Sequence, residues 1–208
     1  MSTPGGRRAV PWWGWVSALL APVFMIGGWQ LAAALQPVRF DAVLRTISDL
    51  AARDTPRRWV MTTGLAGLGL AHVVTAAALR TGRTTGRLLL ATGGLATLVV
   101  SAAPLPAGGG SSAVHTAAAT LGFVTLSTWS VLAFPRWRAG WLAATVLVGL
   151  LFWFGVELGG PRFGLSERVL AGAQSLWPLL VVWWVVLGGR VLRAGLATEG
   201  DQGGSSGP

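Results

Sequence analysis

Cysteine is missing from this 208-residue chain, and so is lysine. The first absence excludes disulfides, thiolate metal sites and cysteine nucleophiles, and leaves the redox compartment unread. The second means that all 16 basic residues are arginine, the pattern of a GC-rich coding sequence such as an actinobacterial one. Charge itself is scarce. Charged residues make up 11% of the chain and hydrophobic ones 52%, more apolar surface than a soluble domain of this length could bury in one core.

Other absences narrow the chemistry. No two histidines share a helix face and no Glu and His pair stands at ligand spacing, so neither a metal nor another cofactor is expected. A metal site would need a mixed carboxylate set around His115. Gly108, Gly109 and Gly110 are followed by serine and not by lysine, which excludes a phosphate-cradling loop. The formal charge of +9 invites a nucleic-acid partner, but the arginines stand in pairs and triplets at the ends of apolar runs. Membrane lipid is therefore the expected partner, and nucleic acid is not.

What is present is a series of six apolar runs. A hydrocarbon core about 30 Å thick needs roughly 17 to 25 mostly apolar residues per helix, and each crossing helix must satisfy its own backbone. The runs fall at about 11–35, 59–79, 88–103, 112–134, 141–158 and 166–192. The first continues too far to be the apolar part of a cleavable signal. The expected fold class is all-α: a polytopic bundle of six transmembrane helices over residues 1–193, with a disordered polar tail over 194–208.

Between the first two runs, residues 36–58 carry Phe40, Val43, Leu44, Ile47 and Leu50 at helical spacing among Arg39, Asp41, Arg45, Asp49 and Asp54. That pattern predicts a short amphipathic helix lying along the surface or folded over the bundle. Ser166 is a plausible cap for the last span.

Arginine counts near the span ends give the orientation. With the N-terminus inside, nine arginines (7, 8, 80, 83, 87, 136, 138, 190 and 193) face the cytoplasm, and seven (39, 45, 53, 57, 58, 162 and 168) lie opposite. The aspartates of the first loop mark it as a folded element, which favours cytoplasmic N- and C-termini in a multi-pass cell-membrane protein.

That topology gathers Asp49, His115, Glu167 and Arg168 near the outer face. Ionisable groups at membrane depth are costly and mark candidate sites. His115 could titrate or bind an ion, or simply be a satisfied hydrogen-bonding group. Asp49 could cap a turn or ligate. Glu167 and Arg168 could form an ion pair or a helix-start charge arrangement. Serine chemistry would require Ser48 or Ser166 beside His115 and a carboxylate, with no elbow motif to announce it. His72 lies about 13 residues into its span, hence roughly 20 Å from the outer end. It cannot share a haem with His115, and a bond to a neighbouring helix is the expected role. Of twelve tryptophans most sit at span ends; Trp29, Trp129, Trp153 and Trp177 lie deeper, where packing is expected.

The linear pattern resembles the family catalogued as domain of unknown function 998. The resemblance rests on Thr46 to Leu50 before Arg58, Trp59, Val60 and Met61, on His72, on a proline-bearing loop before His115, and on Gly164 to Arg168 followed by Gln174, Trp177 and Pro178. It implies a six-span membrane bundle and no assigned reaction. The chain departs from relatives that carry an acidic residue after the loop proline, having Leu105 and Pro106 there.

Two functions stay open. One is a bundle that binds, senses or transports a small ligand through Asp49, His115, Glu167 and Arg168. The other is an intramembrane enzyme acting on a lipid or isoprenoid with the same groups. Transport requires access from both sides and predicts inverted repeats; an enzyme predicts a one-sided chamber with a lateral entrance.

Overall fold

The computed structural model describes the backbone over residues 10–202 and side chains over 10–188. Its six long helices are α1 (Trp12–Ala34), α2 (Trp59–Ala78), α3 (Thr84–Ala102), α4 (Ala113–Ala133), α5 (Arg138–Val156) and α6 (Phe163–Gln202). Each is long and apolar enough to cross a membrane, α6 over Phe163–Gly188, and no strand occurs among the described residues. The helix of α6 passes the expected end near Leu192. Its side chains from 189 and the chain from 203 lie outside the described residues, so that of the expected polar tail 194–208 only the helical backbone to Gln202 is described.

Loops sort to two faces. Arg53 N–H donates to the Leu105 carbonyl at 3.1 Å and Leu165 N–H to the Val43 carbonyl at 3.0 Å, so the loops after α1, α3 and α5 meet on one face. On the other, Arg83 N–H donates to the Ala133 carbonyl at 2.9 Å, joining the start of α3 to the end of α4.

Helix crossings are set by small residues. With little hydrophobic drive between helices in lipid, close backbone approach has to supply the contact. A Cβ on Gly69 of α2 would stand 2.6 Å from the Gly94 carbonyl of α3, and one on Gly94 equally close to the Gly69 carbonyl. The α3–α4 crossing repeats the device, with Gly86 against the Ala133 backbone and Gly93 against Leu126. In α1, Pro22 lacks an N–H and crowds the preceding turn, and the helix widens to a π turn over Val23–Gly27. Phe24 in that turn lies where Gly67 would otherwise carry a Cβ.

The third span differs from expectation by starting at Thr84, with Arg87 inside its first turn. The side chain reaches back so that Nε donates to the Ala76 carbonyl of α2 at 2.9 Å, which satisfies the charge at the membrane edge. The sixth span starts at Phe163, so Ser166 lies inside the helix and donates back to the Phe163 carbonyl at 2.9 Å instead of capping it. The α5 helix is the most lipid-facing: Leu142, Phe152 and Val156 are all exposed.

The amphipathic segment folds over the bundle, burying Ile47, Leu50 and Ala51 among α1 and α2, but it is no continuous helix. Turns surround one short 3₁₀ stretch, Ser48–Ala51. Aspartate side chains compete for the amides a helix would use. Asp41 Oδ1 accepts from the amides of Val43 and Leu44, and Asp49 Oδ2 accepts from Thr46 N–H at 2.7 Å. Gln36 Nε2 donates to the Pro56 carbonyl, clipping the two ends of the segment together. Across the loop face, Asp54 accepts from the Gly108 amide at 2.8 Å, which holds its carboxyl below the usual carboxylate range.

Candidate functional site: a polar chamber under the first loop

A chamber of about 520 Å³ lies under the loop face between α4, α5 and α6. Its polar side is formed by Ser48, Asp49, His115, Thr116 and Glu167, its apolar side by Phe123, Leu151, Phe154, Leu158 and Phe163. Three of the four residues expected to form a site, Asp49, His115 and Glu167, therefore border one space. Arg168 does not. It turns from the chamber, and Nη1 donates to the carbonyls of Ala42, Arg45 and Gly164 at 2.7 to 2.9 Å.

His115 is 5% exposed and lies in the first turn of α4. Its Nδ1 stands 2.8 Å from the Ala103 carbonyl and its Nε2 3.1 Å from Ser48 Oγ. A carbonyl can only accept, so Nδ1 carries the proton. In the neutral ring Nε2 is then an acceptor aimed at the Ser48 hydroxyl.

Of the two roles open to Glu167 and Arg168, an ion pair or a charge arrangement at the helix start, the ion pair does not form. Helical geometry sends successive side chains in different directions. Glu167 accepts from the Ile47 amide, while Arg168 takes the carbonyls named above and lies over the Phe40 ring at 5.5 Å. Both serve the backbone of the first loop. Gly164, one turn earlier, permits that approach, since a Cβ there would meet the Arg45 carbonyl. Asp49 has the capping role open to it: its side chain accepts from Thr46 N–H while Thr46 Oγ1 accepts from Asp49 N–H at 3.1 Å.

A second, smaller cavity of about 60 Å³ lies deeper, and Ser48, Ala119, Phe123 and Glu167 border both spaces. Its lining adds His72, Thr97, Gln174 and Ser175. His72 was expected to bond a neighbouring hydroxyl or carbonyl. It is fully buried with neither ring nitrogen in reach of a protein partner, because the α2 face it occupies looks into this cavity instead of onto a helix. Gln174 was passed over as a participant, and Ser48 is the one of the two serines weighed that lies beside His115. A buried glutamine in an apolar span was the available signal for Gln174, whose Nε2 donates to the Phe123 carbonyl and Ser127 Oγ, both at 2.9 Å. Neither cavity is lined by a tryptophan. Trp129 is packed with Val181 and Val182 in the other half of the bundle, and Trp177 stacks on Trp137. Among the described residues, no group of three His, Asp or Glu side chains is placed to hold a metal.

Residues 7–184 match the family described as protein of unknown function DUF998. The chain belongs to that family. No curated protein and no solved structure matches it. Two family strings quoted from the sequence, Thr46 to Leu50 and Gly164 to Arg168, meet in this DUF998 member where Glu167 accepts from the Ile47 amide.

Replacing Arg168 with Met leaves three carbonyls without their donor, and a hydrogen bond to a charged group contributes about 1.5 to 3 kcal/mol. The expected result is a loss of at least about 2 kcal/mol, read as a lowered thermal midpoint of the purified protein in detergent, with Arg168→Lys recovering part of it. An unchanged midpoint for Arg168→Met would show that the loop is held by something else.

Proposed function

We propose that this DUF998 protein binds a small amphiphile with a hydroxyl or amine head in the chamber under its first loop. The observation that carries this reading is the division of the chamber into a polar side and an aromatic side. Its volume falls in the range of about 300 to 1,000 Å³ typical of ligand sites. Two carboxyl groups, Asp49 and Glu167, border the polar side, and Arg168, the nearest cation by sequence, is committed to carbonyls. Anionic heads are thereby disfavoured, and donors such as hydroxyls are favoured. Phe123, Phe154 and Phe163, with ring centroids 5.2 and 5.4 Å apart in sequence of contact, offer the apolar wall. The chamber lies at one face and borders the lipid-facing α5, which favours lateral entry over passage across the membrane.

Native mass spectrometry of the full chain tests this with monoolein, a neutral hydroxyl-headed amphiphile, and oleate as its anionic counterpart. Saturable binding of monoolein in preference to oleate is expected, weakened at least about tenfold by Ala119→Phe, which places a ring in the chamber. A folded wild-type protein that takes neither, or prefers oleate, overturns the reading.

A second reading, an enzyme of lipid acyl transfer, is favoured by the Ser48 and His115 pair. A hydroxyl facing an imidazole that is itself oriented by a third group is the arrangement of an activated nucleophile. Ser48 Oγ would bond to an ester carbonyl carbon as its proton passes to His115 Nε2. The ester alkoxide would leave with that proton, and water would release the acyl group by the same path. A fluorophosphonate adduct on Ser48, lost in His115→Gln, is the expected signature. An unlabelled but folded protein leaves binding as the function.

We also infer cytoplasmic termini, supported by the arginine count and by the folded state of the first loop. Because the chain lacks cysteine, a single cysteine at Gly109 is expected to react with a membrane-impermeant maleimide from outside intact cells, and one at Thr81 only after lysis. The reverse pattern inverts the topology.

A further inference from the structure

We propose that the inner cavity is a water site that links Glu167 at the chamber wall to His72 deep in the bundle, and so carries protons between them. The cavity volume of about 60 Å³ is enough for more than one water, since about 10 to 15 Å³ of such space holds one. Its walls offer the polar partners such waters need, in Thr97, Gln174 and Ser175. His72 is 0% exposed, and neither ring nitrogen has a protein partner. A buried polar group left unsatisfied is strongly disfavoured. Water in this cavity supplies both nitrogens and reaches Glu167, which borders the same space.

Of the elements around the cavity, α6 alone presents a second titratable group to it, Glu167; α1 contributes Met25, α3 Thr97 and Val100, and α4 small or apolar side chains. Asp49 and Arg168 act on Glu167 from the loop side and its own helix. A proton leaving the Glu167 carboxyl is taken up by one water while that water, or the next, gives a proton to an imidazole nitrogen of His72. Nothing else is consumed. The route requires no ligand in the chamber, so it stands or falls apart from the binding proposal. It extends the polar surface of the chamber to a depth where a histidine would otherwise be an isolated cost.

The chain has two histidines, so ¹⁵N-histidine labelling gives two imidazoles to follow by NMR in lipid bilayers, with His115→Gln assigning them. Water-to-nitrogen magnetisation transfer is expected at His72 as well as at His115. Glu167→Gln is expected to change the protonation or tautomer signature of His72. Ala118→Val, which narrows the inner cavity without bordering the chamber, is expected to abolish the water transfer at His72 while monoolein binding stays within about twofold of wild type. Transfer confined to His115 in the wild-type protein means a dry cavity and overturns the proposal, whether or not Glu167→Gln folds. Water at His72 with a signature indifferent to Glu167→Gln overturns the proton link.

Discussion

The first loop stays on the bundle because two ionisable side chains of one helix satisfy its backbone. A loop at the edge of a hydrocarbon core has amides and carbonyls that water serves poorly. Glu167 takes the Ile47 amide and Arg168 takes the Ala42 and Arg45 carbonyls, one acceptor and one donor on consecutive residues of α6. Gly164 lets the two backbones come close enough for those side chains to reach. Without this clasp, Ser48 would not be held against His115, and the chamber would lose its polar side.

The clasp also accounts for the separation of roles among the four ionisable groups. Arg168 is engaged by structure through Nη1, which serves three carbonyls, while its buried Nη2 has no protein partner. Glu167 stands at a junction, bonding the loop with one oxygen while bordering both cavities. His115 is oriented by the end of α3 through the Ala103 carbonyl, so its free nitrogen is aimed by an element outside the clasp. Loop, α3 and α6 thus each fix one partner of the polar side. That is why residues far apart in the chain meet at one face.

The spans were legible because length and hydropathy are set by the membrane and need no knowledge of packing. Their ends were less so. Arg87 reads as loop until its side chain is seen to reach the Ala76 carbonyl, and Ser166 reads as a cap until the helix is seen to start at Phe163. The apolar spacing of residues 36–58 resembles a helix, yet the same spacing fits turns that bury Ile47 and Leu50 once aspartates take the amides. Asp49, His115 and Glu167 could be assembled from loop order alone. That Arg168 points elsewhere depends on side-chain direction, and that Ser48 meets His115 depends on how the loop folds. Neither is written in local spacing.

The two cavities share a wall, and that wall has a chemical gradient. Ser48 and Glu167 are its polar members, Ala119 and Phe123 its apolar ones. A molecule in the upper chamber meets hydroxyl and carboxyl on one side and aromatic rings on the other, so its orientation is imposed before any specific contact is made. Below the wall the space holds only a few water-sized molecules, and there Gln174 of α6 is tied to the Phe123 carbonyl and Ser127 Oγ of α4, both at 2.9 Å. These ties fix the spacing of α4 and α6 beside the cavity, since moving either helix would break a buried hydrogen bond. The small cavity is thus a retained feature of a bundle whose glycine crossings elsewhere bring backbones into contact, and its persistence beside such tight packing requires the polar ties that surround it.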